Sequence, residues 1–367
     1  MISYDFSIIL PTLNESSSIR KTLVAIRTML WREHLNAEIL VVDDNSADGT
    51  ANIVNDIIRV YPDIRLYIRH ADHGLSNAVM DGFHYAISDV FIVMDADGQH
   101  PVDKIPELYR KIQEGYDIAI ASRYMPLGGI EDGWGKDRRA ISNGATIIAR
   151  LMFPELTDPV SGFFAIRKSV LTPDINPSGY KILTEILGKG MYLDVVEIPY
   201  VFKVREKGHS KLRLKIIMEF CKQMIGILGY TLNHDNGPAR PELEMVAAFM
   251  IVGISGIFLN TTMLWALTVG YNVSLPVAGV IATEFAICSN YFFNEIWTFR
   301  RLVINNNSVV KRFLKFNIIS LFGLAISVGI MLLLTNAGMY YLYANLVGIF
   351  IAFIWNFLLN RNITWGK

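Results

Sequence analysis

The chain has 367 residues, 52% of them apolar and 19% charged, and its mean hydropathy is +0.33. Basic and acidic residues number 34 each, so the formal net charge is zero. Such a chain is too large and too apolar for one ordinary soluble domain, and it does not fit a disordered polymer, a disulfide scaffold or a nucleic-acid binder.

Met1 runs almost directly into a short apolar strand, Phe6 to Leu10, so no signal peptide is expected. Three apolar runs end in polar clusters: Ser7–Leu10 before Pro11-Thr-Leu-Asn-Glu15, Glu38–Val42 before Asp43-Asp44-Asn-Ser46, and Val90–Met94 before Asp95-Ala-Asp97. Helix-like segments are predicted between them, at 16–31, 47–59, 75–87 and 102–114. Alternating strands and helices predict an α/β domain with a mainly parallel sheet and ligands at the carboxyl ends of its strands. Neither Gly-x-Gly-x-x-Gly after the first strand nor Gly-x-x-x-x-Gly-Lys is present, which disfavours a dinucleotide dehydrogenase and a P-loop NTPase.

The constellation richest in chemistry is Asp95-Ala-Asp-Gly-Gln-His100. Carboxylates at i and i+2 converge once a strand bends into a loop. Hard oxygen donors suit Mg²⁺ or Mn²⁺, which keeps coordination sites open for a diphosphate. His73 and His100 are expected to be loop histidines, and Asp158 is expected either to act in the site or to cap a turn before Pro159.

Further along, Leu214, Ile217, Met218, Cys221, Met224, Ile225 and Leu228 keep helical spacing beside Lys211, Arg213, Lys215 and Lys222. A helix lying in the membrane surface is expected there, with a core-packed helix as the alternative. Cys221 and Cys288 show no metal-ligand spacing and are read as buried or membrane-facing thiols.

From Ala247 to Leu267 there are 21 residues without charge, and no Lys or Arg lies between Arg240 and Arg300. That length accommodates two crossings of about 20 residues each. A second apolar pair is predicted at 313–335 and 340–359. Phe249 and Gly256 recur as Phe316 and Gly323, and Asn290, Asn294 and Thr298 as Asn356, Asn360 and Thr364, a shift of 66 or 67 positions that suggests repeated hairpins. Arg300, Arg301, Lys311, Arg312 and Lys315 crowd the central loop, whereas the turns near Tyr271 and Ala337 carry no basic residue. By the positive-inside rule the N-terminal domain and both termini are expected on the cytoplasmic side of a multi-pass membrane protein. Glu284, mid-span, is expected to face the bundle interior. The predicted division is 1–210 for the soluble domain, 211–243 for the interfacial helix and linker, and 244–367 for the membrane helices.

Ile8-Ile-Leu-Pro-Thr-Leu-Asn-Glu15, Val41-Val-Asp-Asp-Asn-Ser46, Met94-Asp-Ala-Asp-Gly-Gln-His-Pro101, Ser122-Arg-Tyr124 and Asp158-Pro-Val-Ser-Gly-Phe-Phe164 resemble the inverting family 2 glycosyltransferases of GT-A fold, above all the dolichol-phosphate mannose synthases and related polyprenyl-phosphate glycosyltransferases. Asn294-Glu-Ile-Trp-Thr-Phe299 and Asn360-Arg-Asn-Ile-Thr-Trp365 resemble the four-helix GtrA-like domain. The resemblance implies that Pro11, Leu13, Glu15, Val42 and Asp44 hold the base and ribose of a nucleotide-sugar donor, with Ala96 lining the nucleotide. It implies Asp95, Asp97 and Gln99 as metal ligands. Arg123, Arg138 and Ser142 would grip the acceptor phosphate, and Arg205 and Lys211 would close on the diphosphate. Arg138 and Arg139 also read as a solvated pair. Glu185 resembles a site where relatives with hydroxyl acceptors keep a base. Leu13 stands where an aromatic is common, and Gly98 replaces a frequent bulky residue.

The implied reaction is hexose transfer, mannose from GDP-mannose, to dolichyl or another polyprenyl phosphate at the bilayer. A UDP-glucose-dependent glucosyltransferase and a lipid-carrier flippase or scaffold that merely binds nucleotide are the alternatives. A processive synthase would want Gln-x-x-Arg-Trp, which is missing. The membrane helices also offer surfaces for oligomer formation.

Overall fold

The computed structural model describes residues 4–70, 74–131, 136–176, 181–203, 214–233, 241–302 and 308–366. Arg205 and Lys211 lie outside them. The chain forms two compact units, Met1–Arg240 and Pro241–Lys367.

In the first unit, β1 (Phe6–Thr12) and β2 (Ala37–Asp43) are buried at every residue, as strands covered on both faces must be. With β3 (Ile64–Ile68), β4 (Val90–Val93), β5 (Ile118–Ser122), β7 (Phe164–Arg167) and β8 (Val195–Pro199) they form a seven-stranded sheet of order β3-β2-β1-β4-β7-β5-β8. Short β6 (Gly129–Ile130) and β9 (Val201–Phe202) pair separately. Helices α1 (Ile19–Arg32), α2 (Thr50–Ile58), α3 (Leu75–Tyr85) and α4 (Ile105–Gln113) fall where the periodicity predicts them. α1 shows why: Ile19, Leu23, Ile26 and Leu30 repeat at helical spacing and are buried.

The mainly parallel sheet is as expected. β1 runs parallel to both β2 and β4, so the chain winds outward to β3 and then returns to the other side of β1. That reversal leaves a crevice at the carboxyl ends of β1 and β4. β7 is antiparallel to β4 and β5, with Phe164 opposite Val93 and Ile120. An antiparallel strand enters where its neighbours leave. Ser161-Gly162-Phe163 is therefore delivered to the edge carrying Asp95.

Helix α5 (Lys136–Met152) precedes β7, and α6 (Ile182–Lys189) follows it. Helix α7 (Leu214–Asn233) packs on α6 through Phe220, Met224, Ile227 and Leu228, all buried. A Cβ at Gly188 would overlap Ile227, so the close approach needs that glycine. Gln223 Nε2 donates to Glu185 Oε2 (3.0 Å) and to the Lys181 carbonyl (3.0 Å). Of the apolar positions expected to lie in the membrane surface, Met224 and Leu228 are buried and Ile225 is exposed beside Lys222, while the side chains of Leu214, Ile217, Met218 and Cys221 fall outside the described residues.

Among the described residues, the second unit holds four helices long and apolar enough to cross a membrane: α8 (Pro241–Trp265), α9 (Leu275–Phe293), α10 (Val309–Asn336) and α11 (Tyr341–Leu359). α8 pairs chiefly with α9 and α10 with α11. α9 and α11 each run into a one-turn π-helix, Asn294–Thr298 and Asn360–Thr364, at equivalent points of the sequence repeat. The repeat extends to contacts. A Cβ at Gly256 would overlap the Asn290 amide, and one at Gly323 would overlap that of Asn356. The Phe249 and Phe299 rings lie 5.7 Å apart, and those of Phe316 and Trp365, 5.8 Å.

Glu295 is half-buried and takes Arg312 Nε (3.1 Å) and Trp365 Nε1 (2.7 Å). Arg361 Nη2 reaches Glu242 Oε1 (2.8 Å). Glu284 is exposed on the bundle surface, contrary to expectation. The buried stripe of α9 is Ala278, Ala282 and Ala286, and a residue two places from Ala282 falls on the far side of the helix.

Gly256→Leu should destabilise the full chain in detergent by about 1–3 kcal/mol through overpacking against Asn290. Gly253→Leu, on an exposed position with open space around it, is the control. Equal melting temperatures for the two variants would remove the close packing at Gly256.

Candidate active site

The loops leaving β1 and β2 are joined by side-chain hydrogen bonds. Thr12 Oγ1 donates to Asp43 Oδ1 (2.8 Å), and Ser46 donates its N–H (2.8 Å) and hydroxyl (2.7 Å) to the same carboxylate. Asn14, in the left-handed region at φ +59°, donates its N–H to Ser46 Oγ (2.8 Å) and accepts from Ala47 N–H (3.1 Å). Glu15 N–H donates to Thr50 Oγ1 (3.0 Å), and Ser16 N–H to Asp48 Oδ2 (2.9 Å).

Partial burial would raise the Asp48 carboxyl, but donors from Thr50 and Ser16 outweigh it and hold the group down at about 2. A depressed carboxyl stabilises the fold above its unfolded value of 3.8, and that contribution is lost as pH falls through about 2. The stability difference between wild type and Asp48→Asn should therefore be full above about pH 4 and shrink below it. Unfolding at stepped pH measures this, and a difference independent of pH would contradict the assignment.

Of the residues implied to hold base and ribose, Pro11 and Val42 are buried in their strands, whereas Leu13 is 42% exposed and Glu15 half-buried. Asp44 is buried. It forms an ion pair with Arg69, and its Oδ2 accepts Gly74 N–H (2.7 Å). Arg69, itself buried, spans to Asp81 Oδ2 (2.6 Å). Asp44 thus anchors the edge of the crevice, and the sequence reading missed its partner Arg69. Ala96, implied to line the nucleotide, has its side chain buried in the main apolar cluster, and its carbonyl accepts Thr22 Oγ1 (3.0 Å).

Past β4, Asp95 and Asp97 are half-buried, and Asp97 Oδ1 accepts Gln99 N–H (3.0 Å). Gly98 turns the chain at φ +79° and drops Gln99 inward, where it is 1% exposed. Gln99 Nε2 donates to the Lys203 carbonyl (2.8 Å), and Lys203 N–H donates to the Gln99 carbonyl (3.0 Å). Gln99 is accordingly strapped to the end of β9 through its Nε2, whereas a metal would be taken by its Oε1.

His100 is buried too, stacked on Phe163 (centroids 5.1 Å, 13°) and edged by Tyr200 (5.8 Å). Burial pushes its imidazole down to about 4, so it is neutral at working pH. The expected loop histidine is thus part of the interior.

Arg123 is 8% exposed. Its Nε and Nη2 donate to Asp158 Oδ2 (2.7 Å) and Oδ1 (2.8 Å), and its backbone N–H to Oδ2 (3.2 Å). Asp158 is fully buried, and Glu197 accepts its N–H (2.8 Å) and that of Thr157 (2.7 Å). Burial disfavours the Arg123 charge, but Asp158 more than offsets this and keeps the guanidinium protonated. The fork expected to grip a phosphate is closed on Asp158, and the turn-capping reading of Asp158 gives way to this ion pair.

Arg138 and Ser142 lie one turn apart on α5. Ser142 is half-buried, and the Arg138 and Arg139 side chains fall outside the described residues. Glu185 is buried and ion-paired with Lys189 on its own helix.

Comparison with known proteins decides the family. The Glycosyl transferase family 2 model matches residues 7–172, and the GtrA/DPMS transmembrane domain model matches 248–365. The dolichol-phosphate mannosyltransferase of Pyrococcus furiosus is 40% identical over 98% of this chain and 99% of its own. That of Saccharomyces cerevisiae is 33% identical over 61% of this chain and 86% of its own. The chain belongs to the dolichol-phosphate mannosyltransferase family. Among solved structures, the Mycobacterium tuberculosis glucosyl-3-phosphoglycerate synthase in complex with Mn²⁺, UDP and phosphoglyceric acid is 21% identical, covering 64% of this chain and 80% of that one, at TM-score 0.45.

As a family 2 glycosyltransferase with a GT-A-type domain and a GtrA-type membrane unit, this family member keeps its two loop carboxylates at the crevice. No group of three His, Cys, Asp or Glu able to hold a metal occurs among the described residues. Asp95 and Asp97 supply hard oxygens. The backbone of Gly162 lies so close that a Cβ there would sit 3.4 Å from Asp95 Oδ2. These hard oxygens suit a divalent cation, which Asp95 and Asp97 would hold with coordination positions left for phosphate and water.

Proposed function

We propose that this chain transfers mannose from GDP-mannose to dolichyl or another polyprenyl phosphate at the cytoplasmic face of the membrane, inverting the anomeric carbon, with Mg²⁺ or Mn²⁺ on Asp95 and Asp97. The observation that carries the reading is this carboxylate pair at the end of β4, in a chain 40% identical along its length to a dolichol-phosphate mannosyltransferase. When bound, the cation would neutralise charge developing on the departing nucleoside diphosphate.

The residues present suit a phosphate nucleophile. A phosphate monoester with second pKa of about 6 is already anionic near neutral pH, so no general base is needed. His100 is sealed among aromatic rings, and Glu185 is committed to Lys189. What remains is positioning two anions. Leu13 and Glu15 offer the outward surface for the nucleotide. Arg138 and Ser142, on one face of α5, would receive the acceptor phosphate, with Arg205 and Lys211 closing on the diphosphate. Arg123 supports the site from behind.

The basic central loop supports a cytoplasmic position for both termini and the soluble unit. The test is incubation of the purified chain with labelled GDP-mannose, polyprenyl phosphate and Mn²⁺. A charged mannolipid whose formation stops in EDTA is expected. A glucolipid from UDP-glucose alone would replace the donor, and no glycolipid from either would favour the scaffold.

A further inference from the structure

We propose that His100 is a positioning residue that fixes the direction of the Asp95 carboxylate for the divalent cation, an inference that rests on the proposed metal-dependent transfer. Its Nδ1 accepts the backbone N–H of Asp95 at 3.3 Å. A neutral imidazole accepting at one nitrogen carries its proton on the other. That proton is then on Nε2, which lies 3.8 Å from Asp95 Oδ2. The ring therefore holds the main chain of Asp95 by a hydrogen bond and faces its Nε2 toward the carboxylate of the same residue, at a separation longer than a hydrogen bond.

The ring cannot swing away. Phe163 stacks on it, Tyr200 meets it edge-on, and Phe202 closes the third side with centroids 5.4 Å apart. Gly162, before β7, borders this box: a Cβ there would stand at van der Waals distance, 3.5 Å from His100 Cε1 and 3.4 Å from Asp95 Oδ2. Because its Nδ1 accepts a main-chain N–H, the ring does not carry a proton on both nitrogens, and it faces the carboxylate without placing a competing cation beside the metal. A neutral, tautomer-fixed donor behind a metal carboxylate is the outer-shell arrangement whose loss typically costs about 10–100-fold in metal affinity.

The experiment is Mn²⁺ binding to the full chain in detergent with saturating GDP, followed by electron paramagnetic resonance. Wild type, Asp97→Ala, His100→Phe and His100→Asn are compared. Phenylalanine fills the aromatic box but has no ring nitrogen. Asparagine keeps an acceptor near the Nδ1 position and loses the distal N–H. The expected result is a Mn²⁺ dissociation constant raised about 10–100-fold in His100→Phe and by less in His100→Asn, with GDP affinity without metal and the acceptor KM unchanged.

If Asp97→Ala abolishes binding while both His100 variants bind as wild type does, the positioning role is overturned and the metal site stands. Should wild type and Asp97→Ala bind Mn²⁺ alike, the metal reading itself fails. Where His100→Phe does not fold, the asparagine variant decides: weaker binding supports the role, and unchanged binding refutes it.

Discussion

Asp97→Ala should cut the rate of glycolipid formation by at least about 10³-fold while the chain still folds and inserts. Stabilising charge on a leaving diphosphate is worth several kcal/mol, and each 1.4 kcal/mol is about a factor of ten. The structural cost is small by comparison. The hydrogen bond that Asp97 Oδ1 takes from Gln99 N–H is worth about 1 kcal/mol, and the residue is half-buried. Initial rates at saturating Mn²⁺, beside circular dichroism of the same preparation, separate the two. Turnover within tenfold of wild type would take the carboxylate out of the chemistry.

Arg123→Ala should act mainly on stability. It strands a fully buried Asp158 carboxylate that now receives two side-chain bonds, and breaking one partner of such a pair costs about 3–5 kcal/mol. Arg123→Lys should recover only part, since one ammonium cannot span both oxygens. Replacing both partners by apolar residues should be milder than either single change. Denaturant unfolding of the four proteins tests this. Wild-type stability in Arg123→Ala together with a selectively raised acceptor KM would return Arg123 to the phosphate grip.

These two positions show what a linear sequence reveals. Asp97 is legible because an apolar run, a turn and paired carboxylates are all local, and the same locality places β1, β2 and β4 and the first four helices. Arg123 is not, because its partner stands 35 positions away and the same letters spell either an open clamp or a sealed fork. Gln99 has the spacing of a third ligand, yet Gly98 turns it inward toward Lys203, a consequence of backbone sign that spacing does not carry. Arg69 and His100 escaped for a related reason: a buried polar residue is recognised by what surrounds it. In α9 the difficulty is different. A helix apolar nearly all round has no phase to assign Glu284, and the buried positions that mark its inner face, Ala278, Ala282, Ala286 and Tyr291, do not stand out by hydrophobicity.

The two crossing ion pairs of the membrane unit have opposite polarity. On the first hairpin the π-turn carries the acid Glu295, which reaches Arg312 on α10. On the second the equivalent position carries the base Arg361, which reaches Glu242 on α8. Two copies of the first hairpin would turn Glu295 toward a segment holding Glu242 and Glu244, and two copies of the second would turn Arg361 toward Lys311, Arg312 and Lys315. The duplicated halves are thus no longer interchangeable. The charges at these two turns favour the pairing of unlike halves within a single chain.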